Sequence, residues 1–198
     1  VRNPLSTVRG YIQLMGKRKE FSHYLDRLDL MLGEIDRTNS IITEYLLLSK
    51  NKVAKTKKNN LNAIIETLYP LIEVDATASG VAVELHLGDI PYLSLDDNEI
   101  KQLLLNLVRN GIEAMAYGGR LLISTGCVND KTVLSICDEG KGIPPQVLDN
   151  LGKPFLTTKE NGTGLGMAVC FRIVSRHNAK LEFDTGPNGT TAYVEFDN

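Results

Sequence analysis

The sequence predicts an α+β fold in which a helical hairpin is followed by a sandwich of helices on a sheet. Apolar residues recur at helical spacing through the first 50 residues, whereas stretches of alternating apolar and polar residues, typical of strands, begin at Val81. Between these patterns, residues 51–60 are polar and basic and have the composition of a linker. We therefore expect two domains, residues 1–55 and residues 56–198.

The hairpin is expected to consist of two helices joined by a turn. The first helix carries an apolar face at Leu5, Val8, Ile12 and Met15. A turn follows at residues 16–22, and Ser22 is expected to cap a second helix from about His23 to Lys50. That helix keeps an a/d heptad pattern at Leu25, Leu28, Leu32, Ile35, Asn39, Ile42 and Leu46.

The apolar stripe of the second helix predicts association with another copy. A lone hairpin cannot cover this stripe on all sides, and its apolar residues would each contribute about 1.5–3 kcal/mol if they were fully buried. Two hairpins that form a symmetric four-helix bundle would bury the stripe, so we expect a homodimer. The alternative is that the hairpin packs on the rest of its own chain.

The second domain is expected to combine three main helices with five strands. The predicted helices are Leu61–Ala78, Asp96–Met115 with Asp96 or Asp97 as its cap, and Gly164–His177. The predicted strands are Val81–Leu87, Arg120–Val128, Lys131–Cys137, Ala179–Thr185 and Thr190–Phe196. The intervening stretch Asp138–Thr163 is rich in glycine and proline, and an irregular segment of about 25 residues is typical of a functional lid.

Composition excludes several classes of protein. Lys and Arg total 22 against 24 Asp and Glu, so the basic excess of a nucleic-acid-binding protein is absent and we expect no nucleic-acid partner. The cysteines, Cys127, Cys137 and Cys170, fit no zinc spacing and are expected to be buried thiols in a reducing cytosol. No apolar run approaches the roughly 18 residues that span a bilayer. We expect a cytoplasmic portion of a longer protein, anchored in a membrane only through segments outside this sequence.

Two asparagines are candidate metal ligands. Asn106 and Asn110 are four residues apart in a predicted helix and therefore lie on one face. Amide oxygens are hard, neutral ligands that suit Mg²⁺, which keeps several waters and substrate phosphates in its shell. The alternative is that both are ordinary surface or capping residues.

Asp138 is a candidate adenine-binding residue. It directly follows a predicted buried strand, where its carboxylate can accept a hydrogen bond from an exocyclic amine such as adenine N6. Guanine carries a carbonyl at that position and would be repelled. Gly140 and Gly142 would let the backbone approach the base. The alternative is an ordinary tight turn.

A second glycine-rich segment is a candidate anion site. Residues 162–167 open a predicted helix, and glycine N–H groups at a helix N-terminus bind anions. The spacing is not that of a dinucleotide fold, and the chain has no P-loop motif. Just before it, Pro154–Lys159 offers Phe155 as an anchor for the lid and Lys159 as a phosphate ligand, with a solvent-exposed lysine as the alternative.

The order of these segments resembles the ATPase superfamily shared by histidine kinases, type II topoisomerases, the 90-kDa heat-shock chaperone and mismatch-repair ATPases. The matching segments are Asn106–Met115 (N box), Asp138–Gly142 (G1 box), Pro154–Lys159 (F box), Gly162–Gly166 (G2 box) and the final-strand motif Gly189–Thr191. The resemblance implies a Bergerat-type ATP-binding domain with ATP and Mg²⁺ as cofactors. It implies a catalytic role for Asn106, Asn110 and Lys159, with the two asparagines on the metal. It further implies nucleotide contacts from Asp138, Gly140, Gly142, Gly162, Thr163, Gly164, Leu165, Gly166 and Thr190.

The first residues select a branch of this superfamily. Arg2–Leu5 resembles the tail of the histidine kinases' H box, His-Glu-x-x-Asn-Pro-Leu, which would place the phosphoacceptor two residues before Val1. Asn3 then occupies the position that orients a water for dephosphorylation of the partner regulator. The histidines of the chain, His23, His86 and His177, are in no acceptor context.

The resemblance implies a sensor histidine kinase of a two-component system or phosphorelay, similar to the sporulation kinases of spore-forming bacilli and their nitrogen-regulator relatives. It implies a homodimer, a response regulator whose Asp receives the phosphoryl group, and protein inhibitors that bind the hairpin. One alternative is an ATPase of the topoisomerase or chaperone type, but those place a Glu one turn before the metal-binding Asn, where this chain has Asn106. The other is a nucleotide-binding scaffold that docks partner proteins.

Overall fold

A computed structural model describes residues 2–49, 55–115, 118–157, 159 and 162–198. The chain divides into two units, residues 1–50 and residues 51–198. The division lies at the start of the predicted linker, whose residues 51–54 are outside the described part of the chain. No helix in the described ranges is both long and apolar enough to cross a bilayer.

The first unit is the predicted hairpin. Helix α1 (Arg2–Gly16) is followed by a 3₁₀ helix, Lys19–Tyr24, and by helix α2 (Leu25–Ser49). The helices run antiparallel: Arg9 of α1 forms an ion pair of 2.7 Å with Asp36 of α2, whereas Gly16, later in α1, lies next to Leu28, earlier in α2. The prediction that Ser22 caps the second helix is wrong, since Ser22 lies inside the 3₁₀ helix and α2 begins only at Leu25.

The hairpin buries only part of its apolar surface. Ile12 and Leu28 are buried between the two helices, and the middle of the heptad stripe is half-buried. Other large apolar side chains of this unit are exposed: Val8, Tyr11, Leu14, Leu30, Met31 and Tyr45. The predicted four-helix bundle with a second copy stays a prediction.

The second unit contains the predicted helices and strands together with three short elements. Its helices are α3 (Leu61–Ala78), α4 (Asp97–Ala114), α5 (Pro145–Leu148) and α6 (Gly166–Arg176). Its strands are β1 (Lys57–Asn59), β2 (Val81–Leu87), β3 (Leu93–Leu95), β4 (Gly119–Val128), β5 (Lys131–Asp138), β6 (Lys180–Gly186) and β7 (Gly189–Asp197). The sequence did not predict α5, β1 or β3. A three-residue strand such as β1 is held by main-chain bonds and needs no alternation of apolar and polar residues, so the pattern used to predict strands does not reveal it.

The main sheet has the order β2-β4-β5-β7-β6. Strands β2 and β4 are parallel, and the other neighbours are antiparallel. The hairpin between β4 and β5 turns at Asn129 and Asp130, which both have positive φ, as a two-residue turn that matches strand twist requires. Strands β1 and β3 form a separate antiparallel pair.

Helices α3, α4 and α6 cover one face of this sheet. Burial alternates along β5 and β7, so every second side chain enters the core. The largest fully buried side chains come from both layers: Leu61, Ile65, Ile72, Leu95, Ile100, Leu103, Leu104, Leu121, Ile123, Leu134, Leu165 and Val169. Of the cysteines, only Cys170 is buried as predicted; Cys137 is half-buried and Cys127 is exposed.

Asp96 caps helix α4. Its carboxylate accepts hydrogen bonds from the backbone N–H groups of Asn98 (3.1 Å) and Glu99 (3.3 Å), and also from Lys55 N (3.1 Å). Its own N–H donates to Nε2 of His177 (3.0 Å). An N–H can donate only to an unprotonated ring nitrogen, so His177 is the neutral tautomer whose Nδ1 donates to the Ile173 carbonyl (2.8 Å).

We predict that Asp96→Ala lowers the free energy of unfolding by about 1–2 kcal/mol, because the start of α4 loses its cap. Asp97→Ala is the matched control. Asp97 makes only an (i, i+4) ion pair with Lys101, so its removal is expected to cost about 0.5 kcal/mol or less. Urea denaturation followed by circular dichroism measures both, and equal losses would contradict the assignment of the cap.

Candidate functional site

Asp138 is the last residue of β5 and is only 8% exposed. Its Oδ1 accepts hydrogen bonds from the N–H groups of Gly140 (2.8 Å) and Thr190 (3.3 Å). Thr190 lies directly opposite Asp138 in the β5–β7 ladder. One carboxylate oxygen thus joins the end of β5 to β7 and to the following turn, and Oδ2 takes part in neither of these bonds.

Burial raises the pKa of the Asp138 carboxyl group, and the two backbone donors oppose this rise. The ionised group has lost much of its hydration, and it holds an acceptor oxygen in an environment of low dielectric. Such a group can favour a ligand that donates a hydrogen bond and disfavour one that presents an oxygen.

The two glycines of this turn are required by close contacts. A Cβ at Gly140 would lie 2.6 Å from the Cβ of Ala114 and 2.8 Å from Asp138 Oδ1. Gly142 has φ of +75°, and its Cβ would lie 2.1 Å from the carbonyl oxygen of Gly186. The structure therefore brings the predicted residues Gly140 and Thr190 to the Asp138 carboxylate, whereas Gly142 packs against Gly186.

Helix α4 presents Asn106 and Asn110 to the start of α6. The Asn106 Nδ2 donates to the Gly166 carbonyl (3.2 Å), and its Oδ1 accepts from Gln102 Nε2 (3.0 Å). The Asn110 Nδ2 lies 3.2 Å from the sulfur of Met167. Asn106 therefore fixes the first residue of α6, whereas Asn110 keeps its Oδ1 directed away from that helix.

The positively charged ammonium group of Lys159 binds the side chain of Asn110. Its ammonium group donates to Asn110 Oδ1 (3.1 Å) and also forms an ion pair with Glu113 Oε2. Sequence reasoning did not identify Glu113. It lies three residues after Asn110 on the same helix face, so the helical period was a signal that could have found it.

The predicted anion site, residues 162–166, leads into α6, which begins at Gly166. Leu165 is fully buried and anchors this segment, so only the backbone of Leu165 is available to a ligand. The Gly162 N–H donates to the Lys159 carbonyl (3.1 Å), and the Leu165 N–H donates to Thr163 Oγ1 (3.2 Å). Those two amides would have to exchange partners to bind an anion.

Phe155 contacts this segment through its backbone. Its N–H donates to the Gly164 carbonyl (2.9 Å), and a Cβ at Gly164 would lie 2.5 Å from Phe155 C. Phe155 is 65% exposed, so its side chain does not enter the core, and its role as an anchor for the lid stays a prediction. Its backbone has φ of +66°, which is strained for a residue with a side chain.

Asn3 belongs to the other unit. It lies in the first turn of α1, and its side chain is outside the described part of the structure. All other predicted site residues lie in the second unit and are described. Their proposed roles stay predictions.

Comparisons with known proteins match both units. The sequence profile of the family described as "Histidine kinase-, DNA gyrase B-, and HSP90-like ATPase" matches residues 95–198, slightly more than half of the chain. The chain is 36% identical to sporulation kinase C of Bacillus subtilis, over 93% of this chain and 43% of that protein. It is 37% identical to sporulation kinase D of the same organism, over 93% of this chain and 37% of that protein. The chain thus spans less than half the length of these curated relatives.

Solved structures show the same fold. Full-length ShkA in complex with AMPPNP matches 98% of this chain and 43% of that one, with a TM-score of 0.85 and 20% identity. The histidine kinase ThkA in complex with the response regulator protein TrrA matches 98% of this chain and 57% of that one, with a TM-score of 0.72 and 27% identity. The predicted fold class, a helical hairpin followed by an α/β sandwich domain, is confirmed.

We predict that Asp138→Asn leaves the chain equally or more stable at about pH 7. Because burial raises the folded-state pKa, the protonated carboxyl stabilises the fold below the unfolded pKa of about 3.9, and this contribution is lost as pH rises through the folded value. At neutral pH the ionised group therefore costs stability. Asparagine removes that cost and keeps an oxygen for Gly140 N.

Urea denaturation of the unsubstituted chain and of Asp138→Asn at about pH 7 and about pH 4 checks this prediction. The advantage of the variant should shrink toward the lower pH. Asp89→Asn, which changes an exposed loop aspartate, is the control and should alter stability little at either pH. An advantage of Asp138→Asn that grows with acidity would contradict the assignment.

Proposed function

The chain belongs to the family of histidine kinase-, DNA gyrase B- and HSP90-like ATPases, and from that premise we propose that it is the catalytic portion of a sensor histidine kinase. The parent protein would phosphorylate a histidine with ATP and pass the phosphoryl group to an Asp of a response regulator. One observation carries the proposal: helix α4 brings the parts of the site together. Gly111, next to Asn110, packs so closely on Asp138 that a Cβ there would lie 3.3 Å from the Asp138 Cβ. Asn110 of this helix bonds Lys159, and Asn106 bonds the glycine-rich start of α6. The sporulation kinases among the relatives favour a place in a phosphorelay.

Asp138 would select adenine. Its Oδ2 would accept a hydrogen bond from the N6 amine, while Oδ1 remains bonded to Gly140 and Thr190. The glycines at 140 and 142 keep side chains away from the base. A guanine would present a carbonyl oxygen to a desolvated carboxylate, which costs several times more than the loss of one neutral hydrogen bond.

Asn110 and Lys159 would act on the phosphates. The donor set fits a divalent cation, because Asn110 Oδ1 and Glu113 Oε2 already share the ammonium of Lys159 as a stand-in cation. When bound, ATP supplies the phosphoryl group and Mg²⁺ neutralises the charge of the triphosphate. Lys159 and the backbone of residues 162–166 would steady the phosphates, and Asn106 would hold Gly166 in place.

The hairpin unit would provide the acceptor and the partner surface. We infer that Asn3 follows a phosphoacceptor histidine of the parent protein and orients a water for dephosphorylation of the regulator. A homodimer would cover the exposed apolar side chains of the hairpin. The complex of ThkA with its response regulator supports a response regulator as partner, and protein inhibitors would compete for the same hairpin.

We predict that Asp138→Asn weakens ATP binding by roughly 10- to 100-fold, because a hydrogen bond to a charged group contributes about 1.5–3 kcal/mol. Calorimetric titration with ATP and Mg²⁺ measures the affinity. Binding of GTP should already be weak in the unsubstituted chain, and the substitution should change it little. Asp89→Asn is the control, and an equal loss in both variants, or none in Asp138→Asn, would overturn the adenine assignment.

We predict that this chain hydrolyses ATP no faster than a trace. A water-activating Glu one turn before Asn110 is missing, and Asn106 at that position is bonded at both ends of its amide. Release of inorganic phosphate measures turnover. Sustained multiple turnover would instead favour an ATPase of the topoisomerase or chaperone type.

A further inference from the structure

Glu113 is an acidic side chain at the phosphate end of the proposed site. It is the penultimate residue of α4, where the negative end of the helix dipole disfavours a carboxylate. Its ion pair with Lys159 connects the helix to the Gly/Pro-rich segment. Both side chains are partly exposed, 44% for Glu113 and 41% for Lys159, so the pair contributes little to folding. Stability alone gives no reason for an acid at this position.

Lys159 and a divalent cation compete for the same oxygen. The Lys159 ammonium lies 3.1 Å from Asn110 Oδ1, and two cations cannot occupy that side of one amide oxygen. Binding of a metal ion at Asn110 therefore requires Lys159 to leave. The displaced ammonium is then available to a phosphate.

The departure of Lys159 exposes the charge of Glu113. Without its partner, the carboxylate faces the triphosphate of an incoming nucleotide, and the two groups repel each other. A divalent cation between the carboxylate and the triphosphate attracts both groups and so replaces their repulsion. The local charge thus disfavours a nucleotide that arrives without its metal.

We propose that Glu113 is a positioning residue that holds Lys159 on Asn110 and makes nucleotide binding depend on a divalent cation. This inference rests on the proposed function. Glu113 discriminates the metal-bound nucleotide from the free nucleotide, whereas Asp138 discriminates between bases. Glu113 takes no part in the chemistry itself.

The test compares ATP affinity with Mg²⁺ and without any divalent cation, by calorimetric titration of the 198-residue chain. In Glu113→Gln we expect the gain in affinity due to Mg²⁺ to fall by roughly three- to tenfold, the size typical of one charge near a protein surface. Most of this change should come from tighter binding in the absence of the cation. Glu113→Asp keeps the charge and should restore most of the dependence.

Glu84→Gln is the matched control. Glu84 forms an ion pair with Arg120 at similar exposure, 43% and 52%, outside the site. This variant should keep the Mg²⁺ dependence of the parent. An unchanged dependence in Glu113→Gln, or the same change in Glu84→Gln, would overturn the inference.

The test separates this inference from the proposed function. A parent chain that binds ATP, with Asp138→Asn weakened and Glu113→Gln unchanged in its Mg²⁺ dependence, overturns only the role of Glu113. A parent chain that binds ATP under neither condition overturns the proposed function and this inference with it.

Discussion

The site depends on the acceptance of two backbone hydrogen bonds by one oxygen of Asp138. This oxygen joins the end of β5, the turn at Gly140 and the start of β7. Gly189, next to Thr190, comes so close that a Cβ there would lie 2.0 Å from the Asp138 carbonyl. The sheet can position the carboxylate only where these two glycines permit the approach. The same burial that fixes the carboxylate removes its water, so the group is a selective acceptor at a cost in stability.

The helices place the second half of the site. Leu165 is buried in the core and sets where α6 begins, and Asn106 of α4 binds the carbonyl of that first residue. The glycine-rich segment is thereby held at both sides, by Asn106 and by Phe155. A segment held in this way loses less entropy when a ligand binds, although the Gly162 and Leu165 amides must still change partners to reach an anion.

The sequence predicted elements well where a local signal defines them. Helix α3 has the predicted bounds because Asn60 caps it and Gly80, at φ of +70°, follows its end. Ser22 failed as a cap because the residues after it continue a 3₁₀ helix, which capping chemistry alone does not reveal. The pairing of Asp138 with Thr190 depends on the register of two strands, which the alternation pattern leaves open. The contact of Lys159 with Glu113 depends on the path of an irregular segment, which has no period to read.

Under the proposed function, nucleotide binding and phosphoryl transfer would be divided between the two units. Every residue that we propose to hold the nucleotide lies on the sheet, on α4, on the start of α6 or in the segments that join them, within residues 51–198. These elements share one core, so under this proposal the affinity for the nucleotide would be set without the hairpin. The hairpin carries Asn3 and an apolar surface that its two helices leave exposed. Changes in that surface would therefore alter association and transfer while the affinity of the site for the nucleotide stays the same.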